Sequence, residues 1–491
     1  MEARQPPTSM MPDLIIPFKS QRVCLTCRKW KKQCDKTIPR CTRCVRKSLR
    51  CDYTAPKDDA ALFNQASKPQ KAAVADIVVL RTDSCLPSLT EVGWSLLFDT
   101  VHNPLTTQEE ARGLSILVQK ILEGVGTSPV DAAQTFRASI YPWFPILDPE
   151  ALIRRSESSG DQDANVRSAL LILCMHIINQ TPCQHEDHVA HSSLYLAARR
   201  LFLLFQNSEK SQSSVALLQA GLLITLYECT HGLWDVAYLS LANCIALSQL
   251  AGLSYTDGFS SRGDSYGRAC AWAAVLLDRM MSLLNLDDPR PSLIPSDESR
   301  NDVGWLNRLS FSEPSDEEYS RFAEHAKLYA ASQTALNLGD ALRYVSSSKW
   351  DSEIPLSFDL INTSATSLVG KLLSMSQTQP LYLCDTTAFA VSVLVFFRFD
   401  HYFGKLRGTW ANLETAVSLH SAVNMAYDMV RTATRMTENR QIGDISFIGL
   451  ASVLRAAIHI VMVKGKGLDV KAWNEIETLL LRFSKRWMIG G

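Results

Sequence analysis

Six cysteines lie close together near the start of the chain, and their spacing constrains this segment more than any other feature of the sequence does. The pattern C-x2-C-x6-C occurs twice, offset by seventeen residues, in Cys24, Cys27, Cys34, Cys41, Cys44 and Cys51. Two cysteines at x2 spacing can bind one tetrahedral ion from a tight turn, and the third is expected about two turns along the helix that follows. Each half of the segment therefore offers three thiolates.

Six thiolates can complete two tetrahedral zinc sites only if two of the thiolates are shared. A closed structural site has four ligands, so sharing one cysteine from each half gives a cluster of two zinc ions and six cysteines. A segment this small cannot bury enough apolar surface to fold alone, so zinc has to supply a folding free energy on the order of 10–16 kcal/mol. We therefore predict that residues 21–52 form a module with zinc as cofactor, two ions per cluster.

The charge of the chain is balanced overall but unevenly distributed. The 50 Lys and Arg residues equal the 50 Asp and Glu residues, yet the stretch from Lys19 to Cys51 holds twelve basic residues and one acid, Asp35. Such an excess of positive charge around a small metal module predicts double-stranded DNA as its partner. The alternative is a zinc-bearing adaptor that binds protein or RNA without sequence-specific DNA readout.

The rest of the chain shows helical rather than strand-like periodicity. Apolar residues recur at three- and four-residue spacing in long segments, which predicts an all-α domain over residues 88–491. We expect a disordered N-terminus over residues 1–20 and a flexible linker over residues 53–87. The acidic run Ser312–Ser320 is expected to be a solvated loop rather than an activation segment. The fold class is therefore mainly α: a small two-zinc cluster domain plus a large all-α domain.

The cysteine segment, VCLTCRKWKKQCDKTIPRCTRCVRKSLRCDY, resembles the fungal Zn(2)-Cys(6) binuclear zinc-cluster transcription factors. Arg28, Asp35 and Pro39 match that family's pattern. The resemblance implies that the first and fourth cysteines, Cys24 and Cys41, bridge the two ions. It also implies that the helix after the second cysteine enters the major groove. A lysine near the end of that helix then reads a CGG-like triplet.

The resemblance assigns further roles in DNA binding to residues of this sequence. The base-reading lysine corresponds to Lys31, with Lys32 as an additional or alternative reader, in keeping with the common contact of lysine to guanine O6 and N7. Phosphate contacts are implied for Arg28, Arg43, Arg46 and Lys47. The sequence departs from the family at Trp30 and Gln33, where basic residues are usual. Trp30 is expected either to lie against a sugar or thymine methyl or to cover the cluster, and the cover is slightly favoured.

Three segments of the helical domain are similar to the family's regulatory middle domain: Tyr141–Leu147, Ala242–Leu253 and Gly267–Pro291. Their residues are expected to be packing residues, with Trp272 and Leu277 in the core. Asp278 is expected to form a structural ion pair with Arg279 or Arg290. The segment Phe483–Trp487 is similar to the closing helix of the subgroup that often regulates secondary-metabolite gene clusters.

Other patterns point to less specific roles. The group Cys183, His185, His188 and His191 is one residue short of the zinc motif H-E-x-x-H and is interpreted as a polar helix start. No P-loop, G-x-S-x-G or strand-linked G-x-G-x-x-G is present, so no enzyme activity is expected. Apolar residues at 3-4-3-4 spacing in the final helix predict a face that docks onto the domain rather than one that dimerises; they are Trp473, Ile476, Leu480, Phe483 and Trp487.

The sequence also predicts where the protein acts and with what partners. The first twenty residues lack the apolar core of a signal peptide, and no uninterrupted apolar run reaches about 18 residues, so no membrane span is expected. The linker lacks heptads, which predicts a monomer or weak dimer. We expect a nuclear regulator of RNA polymerase II genes, with the transcription machinery or co-regulators as further partners.

Overall fold

The computed structural model is mainly α-helical in the residues that it describes. These are residues 23–36, 41–47, 79–80, 88–89, 118–158, 162–180, 193–206, 215–255, 265–284, 290–295, 316–349, 357–378, 384–406, 413–438, 446–464 and 470–484. The chain divides into two units, residues 1–73 and 74–491. The described part of the first unit contains two five-residue helices, α1 (Leu25–Lys29) and α2 (Thr42–Arg46).

The described part of the second unit consists of helices and one short strand pair. Strand β1 (Val79–Leu80) pairs antiparallel with β2 (Ser88–Leu89), so the end of the predicted linker includes a strand. A helical stretch over residues 118–124 precedes the longer helices. These are α3 (Pro129–Ser139), α4 (Pro149–Ser158), α5 (Gln162–Ile178), α6 (Ser193–Gln206), α7 (Val215–Thr230), α8 (Trp234–Leu250), α9 (Ser265–Leu284), α10 (Asp316–Asn337), α11 (Gly339–Lys349), α12 (Phe358–Thr378), α13 (Cys384–Leu406), α14 (Leu413–Glu438), α15 (Phe447–Lys464) and α16 (Val470–Ser484).

Local sequence determines where α3 begins. The Ser128 hydroxyl accepts a hydrogen bond from the Asp131 backbone N–H at 3.0 Å, and the Asp131 carboxylate accepts one from the Ser128 N–H at 3.0 Å. Pro129 occupies the first helical position, where its missing N–H costs nothing. This capping box satisfies two backbone donors that the helix itself leaves without partners.

Helix α7 lies at the centre of the first half of the helical unit. Nearly all of its residues are buried, and it packs against α5, α6, α8 and α9. Gly221 permits a close approach of α7 to α8 and α6, because a Cβ at this position would lie 2.7 Å from the Cys244 Sγ of α8 and 3.0 Å from Phe202 of α6. In the second half, α13 packs against α12, α14 and α15.

The ion pair predicted at Asp278 is confirmed, and its partner is Arg279. The guanidinium donates to the Asp278 carboxylate at 2.6 Å and to the Ile294 carbonyl at 2.8 Å, and both side chains are almost fully buried. The carboxylate also accepts the Leu293 N–H at 2.9 Å. This network therefore attaches residues 293–294 to α9. Trp272 and Leu277 lie in the core, as predicted.

The acidic run Ser312–Ser320 is only partly the loop that the sequence predicts. Helix α10 begins at Asp316, so residues Asp316–Ser320 are helical and the prediction of a loop over this run is wrong in its second half.

The final helix docks as predicted. Helix α16 packs against α14 and α15, with Ile476 buried and Leu480 packed against the core. Trp473, however, is 43% exposed, because Ala472 and Leu479 occupy the buried face instead. Trp487 and the side chain of Phe483 lie outside the part of the structure that is described.

Helix α15 is long and apolar enough to cross a membrane by length and composition alone. In the structure, 61% of that apolar window is buried inside the protein. The helix also carries Arg455 and His459 into the core, where the Arg455 guanidinium lies 3.7 Å from the centre of the Phe396 ring. These contacts are those of a core helix.

Candidate zinc centre and nucleic-acid interface

The described cysteines of the first unit form its only described core. Cys24, Cys27, Cys41 and Cys44 are essentially inaccessible to solvent, and the half-buried Cys34 packs against them. None of these five takes part in a disulfide. Four buried thiols in so short a segment leave little apolar surface to hold the chain together, so the stability has to come from what the thiols bind.

The sulfur atoms of these cysteines lie at distances that suit a tetrahedral metal site. The Cys24 Sγ is 3.8 Å from the Cys41 Sγ and 3.7 Å from the Cys44 Sγ, and the Cys27 Sγ is 3.7 Å from the Cys41 Sγ. Sulfurs bound to one zinc ion at about 2.3 Å are about 3.8 Å apart in a tetrahedron. The ligand atoms of Cys24, Cys27, Cys34 and Cys41 all lie within 4.8 Å of one another. The donor set and its spacing therefore fit zinc.

Both halves of the segment use the same local structure to direct a pair of thiols inward. The Cys24 Sγ accepts the Cys27 backbone N–H at 3.4 Å, and the Cys41 Sγ accepts the Cys44 N–H at 3.4 Å. In each half the first cysteine immediately precedes a five-residue helix and the second lies within it. The repeat in the sequence is therefore a repeat in the structure.

The position of the third cysteine differs from the prediction. Cys34 does not lie on a helix, because α1 begins directly after Cys24 and ends at Lys29. A continuous helix from Cys24 would place Cys34 about 15 Å away, whereas the two sulfur atoms are 3.9 Å apart. The chain has to reverse between them, so the prediction that Cys34 lies two turns along this helix is wrong, although α1 does continue for two residues past Cys27.

That reversal occurs at Lys31, which has a left-handed backbone with φ of 48°. The Lys31 N–H donates to the Arg28 carbonyl at 3.1 Å, and the Lys32 N–H donates to the Cys27 carbonyl at 2.9 Å. These two bonds form a Schellman motif, which usually has glycine where Lys31 stands. The tip of the turn, Trp30–Lys32, is thereby fixed to Cys27.

Burial and hydrogen bonds act in opposite directions on the pKa values of the thiols. Desolvation raises the pKa of the Cys41 thiol to about 12, so the thiolate needs a cation beside it to be stable. Desolvation also acts to raise the pKa of Cys34. Hydrogen bonds from the backbone of Cys24 and Lys36 and from neighbouring thiols outweigh this desolvation, so the pKa of Cys34 is lowered to about 7. A divalent ion supplies the positive charge that deprotonated thiols require.

The basic side chains lie outside this buried centre. The residues predicted to read bases, Lys31 and Lys32, are both exposed at the turn after α1. Of the predicted phosphate contacts, Arg28, Arg46 and Lys47 are exposed and Arg43 is half-buried. Trp30 is 63% exposed, so the prediction that it covers the cluster is wrong. The described residues of this unit hold eight Lys and Arg residues against one acid, Asp35, so the charge around these residues is strongly positive.

Two predicted sites lie outside the described residues. One is the sixth cysteine, Cys51, together with Pro39. The other is the group Cys183, His185, His188 and His191. The structure of the described residues therefore covers five of the six cysteines of the module.

A buried cluster of cysteine thiols with an exposed cationic turn precedes a large helical domain along the chain. This combination defines a zinc-cluster regulator of transcription. The chain belongs to the family with the fungal specific transcription factor domain, whose family model matches residues 133–381. The model of the fungal Zn(2)-Cys(6) binuclear cluster domain matches residues 22–60. Its cofactor is accordingly zinc, with two ions in the cluster.

Similar proteins are also transcription factors by name. Transcription factor BOA15 of Botryotinia fuckeliana is 28% identical over 127 residues, which are 26% of this chain and 68% of that protein. Transcription factor kojR of Aspergillus flavus is 22% identical over 298 residues, 54% of this chain and 52% of that one. The zinc cluster transcription factor CZF1 of Candida albicans is 49% identical over 41 residues, 8% and 11% of the two chains. No solved structure matches.

Proposed function

We propose that this protein regulates RNA polymerase II genes in the nucleus by binding a CGG-like triplet through residues 21–52. The observation that carries the proposal is the turn Trp30–Lys32, which is exposed, doubly cationic and hydrogen-bonded to Cys27 of the thiol centre. A base-reading side chain needs a fixed backbone, and this turn provides one. The resemblance of Phe483–Trp487 to one subgroup suggests a secondary-metabolite gene cluster as the target.

Six cysteines hold the zinc in this proposal: Cys24, Cys27, Cys34, Cys41, Cys44 and Cys51. Cys24 and Cys41 would be the ligands shared by the two ions, which is supported by the Cys24 sulfur lying 3.7 Å from that of Cys44 and 3.9 Å from that of Cys34, one from each half. When bound, the ions neutralise the buried thiolates and fix the two short helices relative to each other. Residues 53–87 then act as a linker, and residues 88–491 as the regulatory domain.

The DNA contacts divide into two kinds. Lys31 and Lys32 donate to guanine edges in the major groove, where Lys or Arg to O6 and N7 is the commonest specific contact. Arg28, Arg43, Arg46 and Lys47 contact phosphates and position the module. The alternative function, a zinc-bearing adaptor for protein or RNA, uses the same basic surface without base readout.

Selection of duplexes from random DNA by the full-length, zinc-loaded protein tests the proposal. We expect enrichment of a G-rich triplet, together with two zinc ions per chain by elemental analysis. Cys41→Ser should lose both the zinc and the selection, whereas Cys174→Ser, which replaces a buried cysteine of the helical unit, should retain both. Enrichment of no motif, or selection that survives Cys41→Ser, contradicts the proposal and favours the adaptor.

A further inference from the structure

We propose that Trp30 determines specificity by contacting the 5-methyl group of a thymine next to the triplet, so that the recognised sequence extends beyond the G-rich bases. This inference rests on the proposed function of the module in binding duplex DNA. It concerns a residue at which the sequence has an indole ring where a cation is usual in the family.

The exposure of Trp30 is the first observation. Among the tryptophans that the structure describes, Trp30 is the most exposed, at 63%, compared with 43% for Trp473 and 2% for Trp272. A large apolar ring left in water is unfavourable, and tryptophan is enriched at binding interfaces, where its surface becomes covered. The ring is therefore available to a partner.

The surroundings of the ring favour a nucleic acid as that partner. Trp30 lies in the run Arg28-Lys29-Trp30-Lys31-Lys32, in which all five residues are exposed. The single described acid of this unit, Asp35, receives hydrogen bonds from Thr42. An apolar ring with two cations on each side in sequence complements a surface that offers phosphates and apolar groups together, as duplex DNA does.

The backbone places Trp30 on the same turn as the base-reading lysines. The Trp30 N–H donates to the Thr26 carbonyl at 3.1 Å, and the next two residues form the Schellman motif that ends α1. If Lys31 reaches base edges in the major groove, Trp30 is fixed one residue away from that contact. The apolar group that bases present in the major groove is the thymine methyl.

Thymine-to-deoxyuridine replacement isolates this contact because it removes the methyl group and nothing else. The full-length, zinc-loaded protein is first used to select its duplex, and each thymine flanking the triplet is then replaced singly. We expect one replacement to weaken binding by about three- to tenfold, the size of a buried methyl contact. In Trp30→Ala the same replacement should have no effect, and the variant should bind the unmodified duplex as weakly as the wild type binds the replaced one.

Trp30→Arg is the matched second variant, because it restores the basic residue usual in the family. We expect it to lose the dependence on the thymine methyl, to gain a steeper salt dependence, and to keep two zinc ions. If deoxyuridine has no effect at any position, or the same effect in the wild type and Trp30→Ala, the Trp30 inference is overturned while selection of the triplet stands. If no motif is selected at all, the proposed function and this inference fail together.

Discussion

The carboxylate of Asp35 accepts hydrogen bonds from the backbone N–H of Thr42 at 3.1 and 3.2 Å, and a further bond from the Thr42 hydroxyl. Asp35 directly follows the third cysteine, and Thr42 is the first residue of α2. The contact therefore links the two halves of the cysteine repeat without using a thiol. It also satisfies a backbone donor at the start of a helix, where negative charge is favoured.

Loss of this link should weaken zinc binding. We expect Asp35→Ala to cost about 1 kcal/mol, the usual value of a lost helix cap, and hence to lower zinc affinity about fivefold. Competition with a chromogenic chelator measures this loss. Thr42→Val is the control, because it keeps the backbone N–H that Asp35 accepts and should lose less zinc affinity than Asp35→Ala does. Equal zinc affinities for Asp35→Ala and the wild type would show that the contact adds no stability.

Close packing at Gly221 gives a prediction for the helical unit. A Cβ at this position would lie 2.7 Å from the Cys244 sulfur, so Gly221→Ala should destabilise the protein by about 1–3 kcal/mol through overpacking. Cys244→Ala removes the obstructing sulfur, so the double variant should be destabilised by less than the sum of the two single changes. Thermal unfolding of the four proteins checks this, and additive effects would show that the two residues do not compete for space.

The buried pair Asp278–Arg279 should be far more sensitive to substitution than the exposed pair Asp235–Arg290. Arg279→Met leaves the Asp278 carboxylate buried without its counter-ion, which typically costs about 3–5 kcal/mol. Asp235→Asn breaks an ion pair whose carboxylate is 81% exposed, and the expected cost is about 0–1 kcal/mol. Denaturation midpoints of Arg279→Met and Asp235→Asn, each measured against the wild type, compare the two losses of stability. Similar losses in both variants would contradict the structural role assigned to Asp278.

His459 should make stability depend on pH. Burial, and secondly the charge of Arg455, lower its pKa to about 3, while its Nδ1–H donates to the Arg455 carbonyl at 2.7 Å. As the pH falls below about 6.5, the unfolded chain takes up a proton that the folded protein excludes, so stability is lost until the pH approaches 3. Between pH 7 and pH 5 this loss is about 2 kcal/mol.

His459→Gln tests this dependence because glutamine does not titrate. The unfolding free energy of the variant should fall by about 2 kcal/mol less than that of the wild type between pH 7 and pH 5. Denaturant titrations of both proteins at the two pH values provide the comparison. An identical fall in both proteins would mean that His459 already takes up a proton in the folded state.

Apolar residues at helical spacing predicted the helices of this domain, in α12 Ile361, Ala365, Leu368 and Leu372, but the local propensity of one α12 segment opposes the helix. That segment, Asn362–Ser367, consists mainly of residues that compete with the helix by bonding to the backbone. In the structure the two threonine hydroxyls bond within the helix, Thr363 to the Asp359 carbonyl at 2.8 Å and Thr366 to the Asn362 carbonyl at 2.6 Å. Arg398 of α13 donates to Asn362 and Thr366 at 2.9 and 2.8 Å. Tertiary contacts thus outweigh local propensity here.

In the cysteine module, the spacing predicted the thiol set but not the path of the chain. A spacing of six residues between Cys27 and Cys34 allows either a helix or a reversal, and closure of the sulfur cluster decides in favour of the reversal. The left-handed Lys31 could not be read from the sequence, because glycine is the residue that signals such a turn. The exposure of Trp30 follows from this turn.

The readout assigned to Lys31 is the central claim, and comparing Lys31→Gly with Lys47→Ala tests it most directly. Glycine suits the left-handed backbone at this position, so Lys31→Gly removes the side chain while preserving the turn. Affinities for the selected duplex and for one with a mutated triplet are measured by fluorescence anisotropy over a range of salt concentrations. We predict that Lys31→Gly reduces the ratio of the two affinities by about 5- to 150-fold with little change in salt dependence. Lys47→Ala should instead weaken binding to both duplexes equally, and it should lower the slope of log affinity against log salt concentration by about one. Equal losses on both duplexes in Lys31→Gly would contradict the account.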